Sequence, residues 1–249
     1  MRGALAAGLA LAAVAAGTTG QAAAGPSAGQ STERVVIGRS VEKREITAVQ
    51  IGDPAGDRVA LVVGVIHGNE RAGLRILDAI KERASSLPTA LQGTQLWVIP
   101  TVNPDGLSAH TRKNAHGVDL NRNFPYRWQG DVPHSNGYYP GPRPASEPET
   151  RTLMAFAQRI QPDLSIWYHQ PWGAVLACRG RPPIAAEYAK LVGMRTSCRG
   201  KGLHGTAISW EMHAFPGSDA FVVEMPRGRI SAGSAIREAR AALAVVEGR

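Results

Sequence analysis

A histidine and a glutamate three residues apart, His67 and Glu70, follow an apolar, β-branched run from Val59 to Ile66. A second histidine, His169, closes the run Leu164 to Tyr168, and Glu224 stands near the end of a third run, Phe221 to Met225. Continuous apolar runs of this length read as strands buried on both faces. In open α/β sheets, ligand sites form at the carboxyl ends of strands, so three titratable groups are placed along one edge. His-x-x-Glu across Gly68-Asn69 can aim both side chains at one point, Gly68 being read as the residue that lets the backbone turn sharply. Zinc accepts imidazole nitrogen and carboxylate oxygen at about 2.0–2.2 Å, and a catalytic zinc site takes three protein ligands. His67, Glu70 and His169 supply that set for one Zn2+ ion. By itself His-x-x-Glu more often describes a helix start with a surface acid, and the motif alone is weak.

The elements that must position these groups follow from pattern. Val35 to Ile37 and Ile46 to Ile51 read as short strands, and Asp53 to Asp57 as a turn. An amphipathic helix with Leu74, Leu77 and Ile80 on one side follows Glu70, and Leu96 to Ile99 is another buried strand. Asn103 to Pro144 is rich in Gly, Pro, Asn and aromatics; irregular stretches of this length are usually functional. Ser146 and Glu149 have the spacing of a capping box, opening a helix with Leu153, Phe156 and Ile160. Ile184 to Leu191 and Ser234 to Val246 read as further helices. Strands alternating with helices imply a three-layer α/β/α domain around a central mixed, largely parallel sheet.

The chain has 249 residues, a formal net charge of +8 and a pI near 10.0. Arg2, the small apolar run Ala4 to Ala16 and the exit Ala22-Ala23-Ala24 describe a secretory signal over residues 1–24. A lone membrane anchor is the weaker reading, since the run falls short of the roughly 20 apolar residues a span requires. A linker follows at 25–31 and a single catalytic domain at 32–249, with no transmembrane segment expected after processing. Export would place the protein outside the cytoplasm, secreted or held at the cell envelope. There the only cysteines, Cys178 and Cys198, could bridge or stay as two buried thiols. The positive charge suits an anionic envelope. Nucleic acid is not expected as a partner, because Lys and Arg are scattered and no binding motif occurs.

Three strings in order, His67-Gly68-Asn69-Glu70, Asn103-Pro104-Asp105-Gly106 and Gly117 to Phe124 (GVDLNRNF), resemble the zinc carboxypeptidases that include the pancreatic digestive enzymes. The strings Thr111 to Gly117 (TRKNAHG) and Ser146 to Thr150 (SEPET) are similar to a bacterial branch, the murein peptide amidases. Those enzymes cut the bond between γ-D-glutamate and diaminopimelate in wall peptides. The resemblance covers nearly all of the chain after its leader-like start and implies the zinc carboxypeptidase fold. It also implies that His67, Glu70 and His169 are the metal ligands and that Arg112 polarises the scissile carbonyl. Asn121 and Arg122 would then grip the terminal carboxylate, with Glu224 as catalytic base. The chemistry agrees: guanidinium suits bidentate carboxylate recognition, a second arginine can stabilise an oxyanion, and a carboxylate can shuttle a proton. The implied substrate is a peptide with a free C-terminal carboxylate.

One departure concerns the mobile tyrosine that digestive members place over the substrate upstream of the catalytic glutamate. No tyrosine follows Tyr188, so that contact is absent or replaced. His204 and His213 lie in the corresponding stretch and read first as loop histidines. Ala207, Ile208 and Trp210 are candidates for a specificity pocket, Trp210 equally for the core. Asp119 and Asn123 read as loop-shaping groups that bond backbone amides. A general peptide carboxypeptidase, an N-acyl amino acid deacylase and a non-catalytic wall-binding module are the alternatives. A serine hydrolase is disfavoured, because the one Gly-x-Ser-x-Gly string, Gly25 to Gly29, lies in the linker and not between a strand and a helix.

Overall fold

The computed structural model describes residues 31–87, 91–176, 183–198 and 202–248. The leader and most of the linker lie outside them, as does Cys178, and with it the bridge to Cys198. Eight strands form one sheet: β1 Ser31–Arg39, β2 Glu45–Gly52, β3 Arg58–Val63, β4 Thr94–Ile99, β5 Leu164–His169, β6 Trp172–Leu176, β7 Arg195–Ser197 and β8 Asp219–Pro226. Their spatial order is β1-β2-β4-β3-β5-β8-β6-β7. The centre, β4-β3-β5-β8, is parallel; β2 joins β4, and β6 joins β8, antiparallel. The sheet is therefore mixed with a parallel core.

Among the described residues six α-helices accompany it: α1 Ala72–Ser85, α2 Pro104–Ala109, α3 Pro148–Ile160, α4 Pro183–Val192, α5 Ala207–Ala214 and α6 Ala232–Glu247. Alternate residues of a strand face opposite sides, and β3 shows it: Val62 packs with one hydrophobic cluster, Leu61 and Val63 with the other. The first cluster takes in Ile76, Leu77 and Ile80 of α1, Tyr188 of α4 and Leu243 of α6. The second takes in Leu153 and Phe156 of α3 and Trp210 of α5. These are the expected three layers.

Local expectations needed correction. On α1 the buried stripe is Ile76, Leu77 and Ile80, while Leu74 is only half-buried. The capping box at Ser146 does not form. Pro148 occupies the first helical turn and Glu147, in extended backbone, is the N-cap, because a residue before proline is pushed out of the helical region. Ser146 Oγ instead bonds the Glu147 carboxylate, and the Glu149 carboxylate accepts from the Val41 amide at 3.0 Å. Gly68 does not have a left-handed backbone. A Cβ there would collide with the backbone of Gly106, so glycine allows the His67 turn to pack on the Asn103-Pro104-Asp105-Gly106 segment. Asn103 fastens that contact, donating to Ile66 O at 3.0 Å and accepting from Gly106 N at 2.9 Å.

Candidate metal centre and active site

β3 ends at Val63, and three more residues carry the chain to His67. His169 is the last residue of β5 and pairs in register with Glu224 on the parallel neighbour β8. Register thus sets the second histidine beside Glu224, on strands about 4.8 Å apart. His67, Glu70 and His169 are all buried, and one ligand atom from each lies within 4.8 Å of the others. His169 Nδ1 is 2.9 Å from Glu70 Oε2, and His67 Nδ1 is 3.0 Å from Glu70 Oε1.

The donor set fits a divalent cation. His67 Nε2 is 3.0 Å from the buried Asp119 Oδ1, a contact that makes Nε2 the protonated nitrogen and leaves Nδ1 a lone pair. Nδ1 has no aligned hydrogen bond despite its closeness to Glu70, so two electron-rich atoms crowd without a proton between them. Burial works to keep the His67 imidazole neutral, yet the Asp119 and Glu70 carboxylates outweigh it and raise its pKa. Burial likewise works to protonate Glu70, and the hydrogen bond from His169, with the neighbouring His67, overcomes it, holding the carboxyl far below the usual carboxylate range. The local field favours positive charge in this position, which zinc ligation supplies.

Arg112, Asn121 and Arg122 come from the long segment between β4 and α3 and line the same cavity, of about 530 Å³, as His67, His169 and Glu224. Asp119 organises them. Its Oδ2 accepts from Arg112 Nε at 3.0 Å, and its Oδ1 from the Asn121 amide at 2.9 Å. Arg112 Nη1 also donates to Glu70 Oε1 at 3.0 Å. The Asn121 side-chain oxygen accepts from the Ala207 amide at 2.9 Å, fixing it to the start of α5. Arg122 forms no ion pair within the described residues; its Nη1 donates to Asn121 O at 2.6 Å, and the other nitrogens remain for a carboxylate from outside.

Asp119 was read from sequence as a loop-shaping residue only. It does bond a backbone amide, but it also holds a histidine and an arginine. Although burial opposes it, His67 and then Arg112 and Arg122 keep the Asp119 carboxyl well below its ordinary pKa. Asn123 is the loop-shaper it was expected to be: its side chain donates to Pro140 O at 2.7 Å and Ser146 Oγ at 2.9 Å.

Glu224 is buried, and its Oε2 has no hydrogen-bond partner among the described residues. Burial, then the charge of Glu70, push its pKa up to about 7. Tyr138, which sequence reasoning did not single out, lines the cavity with its ring 5.0 Å from the Arg112 Cζ and 5.3 Å from the Arg122 Cζ. Ala207 and Ile208 line the cavity as anticipated; Trp210 is core, packed on Phe124 and Phe215. His204 reaches the cavity wall, while His213 stacks on Tyr126 away from it.

The two strings similar to the amidase branch lock together. Asn114 donates to Glu147 at 2.8 Å and to Glu149 at 3.1 Å, and His116 contacts Glu147 at 2.7 Å. They buttress the loop that presents Arg112, Asn121 and Arg122.

The sheet with a parallel core thus carries a His₂Glu cluster, with two arginines lining the same cavity. The chain belongs to the zinc carboxypeptidase family, whose profile matches residues 26–177. Murein peptide amidase A of Escherichia coli K12 is 36% identical over 138 residues, covering 50% of this chain and 53% of the relative. A metallocarboxypeptidase A-like protein of Trichophyton verrucosum is 25% identical over 252 residues, covering 78% of this chain and 57% of the relative. The matches thus span little more than half the length of these relatives. The fold is similar to carboxypeptidase A from Helicoverpa armigera, with a TM-score of 0.71, 21% identity and coverage of 86% of this chain and 69% of that one. It is also similar to murein-tripeptide amidase from Escherichia coli O157, with a TM-score of 0.65, 24% identity and coverage of 85% and 89%.

Proposed function

We propose that this chain is an exported zinc-dependent carboxypeptidase-type hydrolase, and that it cuts wall peptides at the bond between γ-D-glutamate and diaminopimelate. The hydrolase reading is carried by one arrangement. Glu224, with an unpartnered Oε2, stands in register with His169 in a cavity that also contains His67, Glu70 and the unpaired Arg122. His67, Glu70 and His169 would hold the zinc, which when bound polarises a carbonyl and acidifies water. Arg122, with Asn121 beside it, receives the substrate's terminal carboxylate. Arg112 hydrogen-bonds the scissile carbonyl oxygen as negative charge develops there. Glu224 takes a proton from the attacking water at its free oxygen and delivers it to the leaving nitrogen. Tyr138 shields both arginines from solvent on one side.

Export is supported by the signal-like residues 1–24, and an envelope setting by the net charge of +8. The wall substrate is supported by similarity to murein peptide amidase A and by the interlocked Asn114, Glu147 and Glu149. No helix among the described residues is long and apolar enough to cross a membrane. A second reading, release of aliphatic C-terminal residues from ordinary L-peptides, is favoured by Ala207, Ile208, Ala220 and Val222 in the cavity wall.

The test is to incubate zinc-loaded protein with a γ-D-glutamyl-diaminopimelate tripeptide and with L-peptides, and to identify the products. Cleavage of the γ-linked tripeptide supports the wall reading; fast release from L-peptides alone moves the enzyme to the general carboxypeptidases. Amidating the terminal carboxylate should reduce kcat/KM far more in the wild type than in Arg122→Ala, the coupling expected of a direct contact. Equal losses in both proteins would remove Arg122 from that role.

A further inference from the structure

Beside the central cavity lies a second groove, of about 810 Å³, sharing Glu70, Gln170 and Pro171 with it but none of Arg112, Asn121 and Arg122. Four arginines line this groove: Arg71 and Arg75 from the start of α1, Arg227 and Arg229 from the turn after β8. All four are exposed, and none pairs with a carboxylate within the described residues. The one other acid on its wall besides Glu70, Asp78, is taken by Lys81 at 2.7 Å. Arg227 and Arg229 make no hydrogen bond among the described residues.

The groove is electropositive for a second reason. A helix N-terminus carries partial positive charge and favours acidic neighbours, yet the first turn of α1 has no acid and is flanked by Arg71 as N-cap. Gln170 fixes the rim that this groove shares with the metal centre. Its side chain accepts from the Ala72 amide at 3.0 Å and donates to Pro226 O and Gly228 O, each at 2.8 Å, while its backbone N–H donates to Glu70 at 3.1 Å. The arginine-bearing segments are thus tied to a metal ligand by one residue.

We propose that this groove is a subsite for a carboxylate on the acyl side of the substrate, in the residue that supplies the scissile carbonyl. The inference rests on the peptidase reading above. With the terminal carboxylate on Arg122, the rest of the peptide must leave the cavity on another side. The groove that begins at Glu70 and Gln170 offers that exit, lined with guanidinium groups whose geometry matches carboxylate. Substrate choice is then made on both sides of the cut bond, by Arg122 on one and by this arginine cluster on the other.

The experiment compares peptide pairs that differ only in whether the residue before the cut carries a free carboxylate or its amide. Zinc-loaded wild type and the double variant Arg227→Gln/Arg229→Gln are assayed with both. The wild type should prefer the acid by about three- to thirtyfold, chiefly in KM, the range for two exposed charge contacts acting together. The preference should shrink with added salt. In the double variant the ratio should fall to about twofold or less, with cleavage of the amide form unchanged. A ratio near one in the wild type, or an unaltered ratio in the variant, overturns the proposal. Inorganic phosphate that competes specifically with the acidic peptide, at matched ionic strength, would instead assign the groove to phosphoryl groups. If no peptide of either kind is cut, the peptidase reading fails separately. Fluorescence anisotropy of a labelled acidic peptide and its amide, on both proteins, then decides the groove by binding alone.

Discussion

Asp119 faces His67 with one carboxylate oxygen, 3.0 Å from Nε2, and receives Arg112 on the other. One buried side chain thereby orients a histidine of the candidate metal site and an arginine of the same cavity. Partners of this kind raise ligand basicity and fix the tautomer, and losing one typically weakens metal binding about 10–100-fold. Asp119→Asn should weaken zinc affinity by that order, read by competition with a chromophoric chelator. Because Arg112 loses its anchor as well, kcat/KM should fall further than metal occupancy alone explains. Unchanged affinity would reduce Asp119 to a loop fastener.

Replacing Glu224 with Gln keeps the shape and removes the carboxylate proposed as base. The variant should bind zinc as the wild type does while losing about 10²–10⁴-fold in turnover, the usual worth of general acid–base help. The contrast is His169→Ala, which should fail to hold stoichiometric zinc when assayed by elemental analysis. Near-normal turnover by Glu224→Gln would transfer the proton work to another residue.

The convergence of His67, Glu70, His169 and Glu224 was legible because His67, His169 and Glu224 stand at or beside the end of an uninterrupted apolar run, and strand ends collect at one sheet edge. The role of Asp119 was hidden: an Asp between Val118 and Leu120 in a Gly-rich loop carries the same local signal as any turn former, and its partner His67 is far away in sequence. The strands β6 and β7 and the helix α5 are short, with too few turns or alternations for a period to register. The Ser146 box failed because proline dictated the helix start more strongly than the Ser/Glu spacing. Tyr138 had no signal at all, since what singles it out is the meeting of Arg112 and Arg122 beneath its ring.

Tyr138 therefore has a role that can be separated into ring and hydroxyl. A cation–π contact at an exposed site contributes about 0.5–1 kcal/mol, so Tyr138→Ala should lower kcat/KM about two- to tenfold while zinc content is unchanged. Tyr138→Phe keeps the ring over both guanidinium groups and should stay within about twofold of the wild type. Equal losses in the two variants would assign the contribution to the hydroxyl, and no loss in either would leave the ring without a part in binding.

Glu211 gives a stability prediction with a definite sign. It is buried on α5, accepting from Ser165 Oγ and from Trp167 Nε1, the latter at 3.0 Å. Burial raises its pKa from 4.5 to about 7, and the two donors only partly oppose the rise. The folded state therefore binds more protons than the unfolded state between those values, and stability must fall as pH rises through that window. The stabilising contribution of the protonated carboxyl is fully present below about pH 4.5 and gone above about pH 7. A shift of this size corresponds to about 3 kcal/mol at most. Other carboxyls, Glu149 and Glu238 among them, are also raised by burial, so the wild-type slope alone does not isolate Glu211. The difference between wild type and Glu211→Gln does, because glutamine cannot ionise. At pH 5 the variant should be no more stable than the wild type, since the protonated acid makes comparable bonds. By pH 8 it should have gained on the wild type by an amount of the order of 1–3 kcal/mol, measured by denaturant titration at both pH values. A difference that stays constant from pH 4.5 to 8 would show that Glu211 keeps an ordinary pKa, its charge satisfied by Ser165 and Trp167 despite the burial.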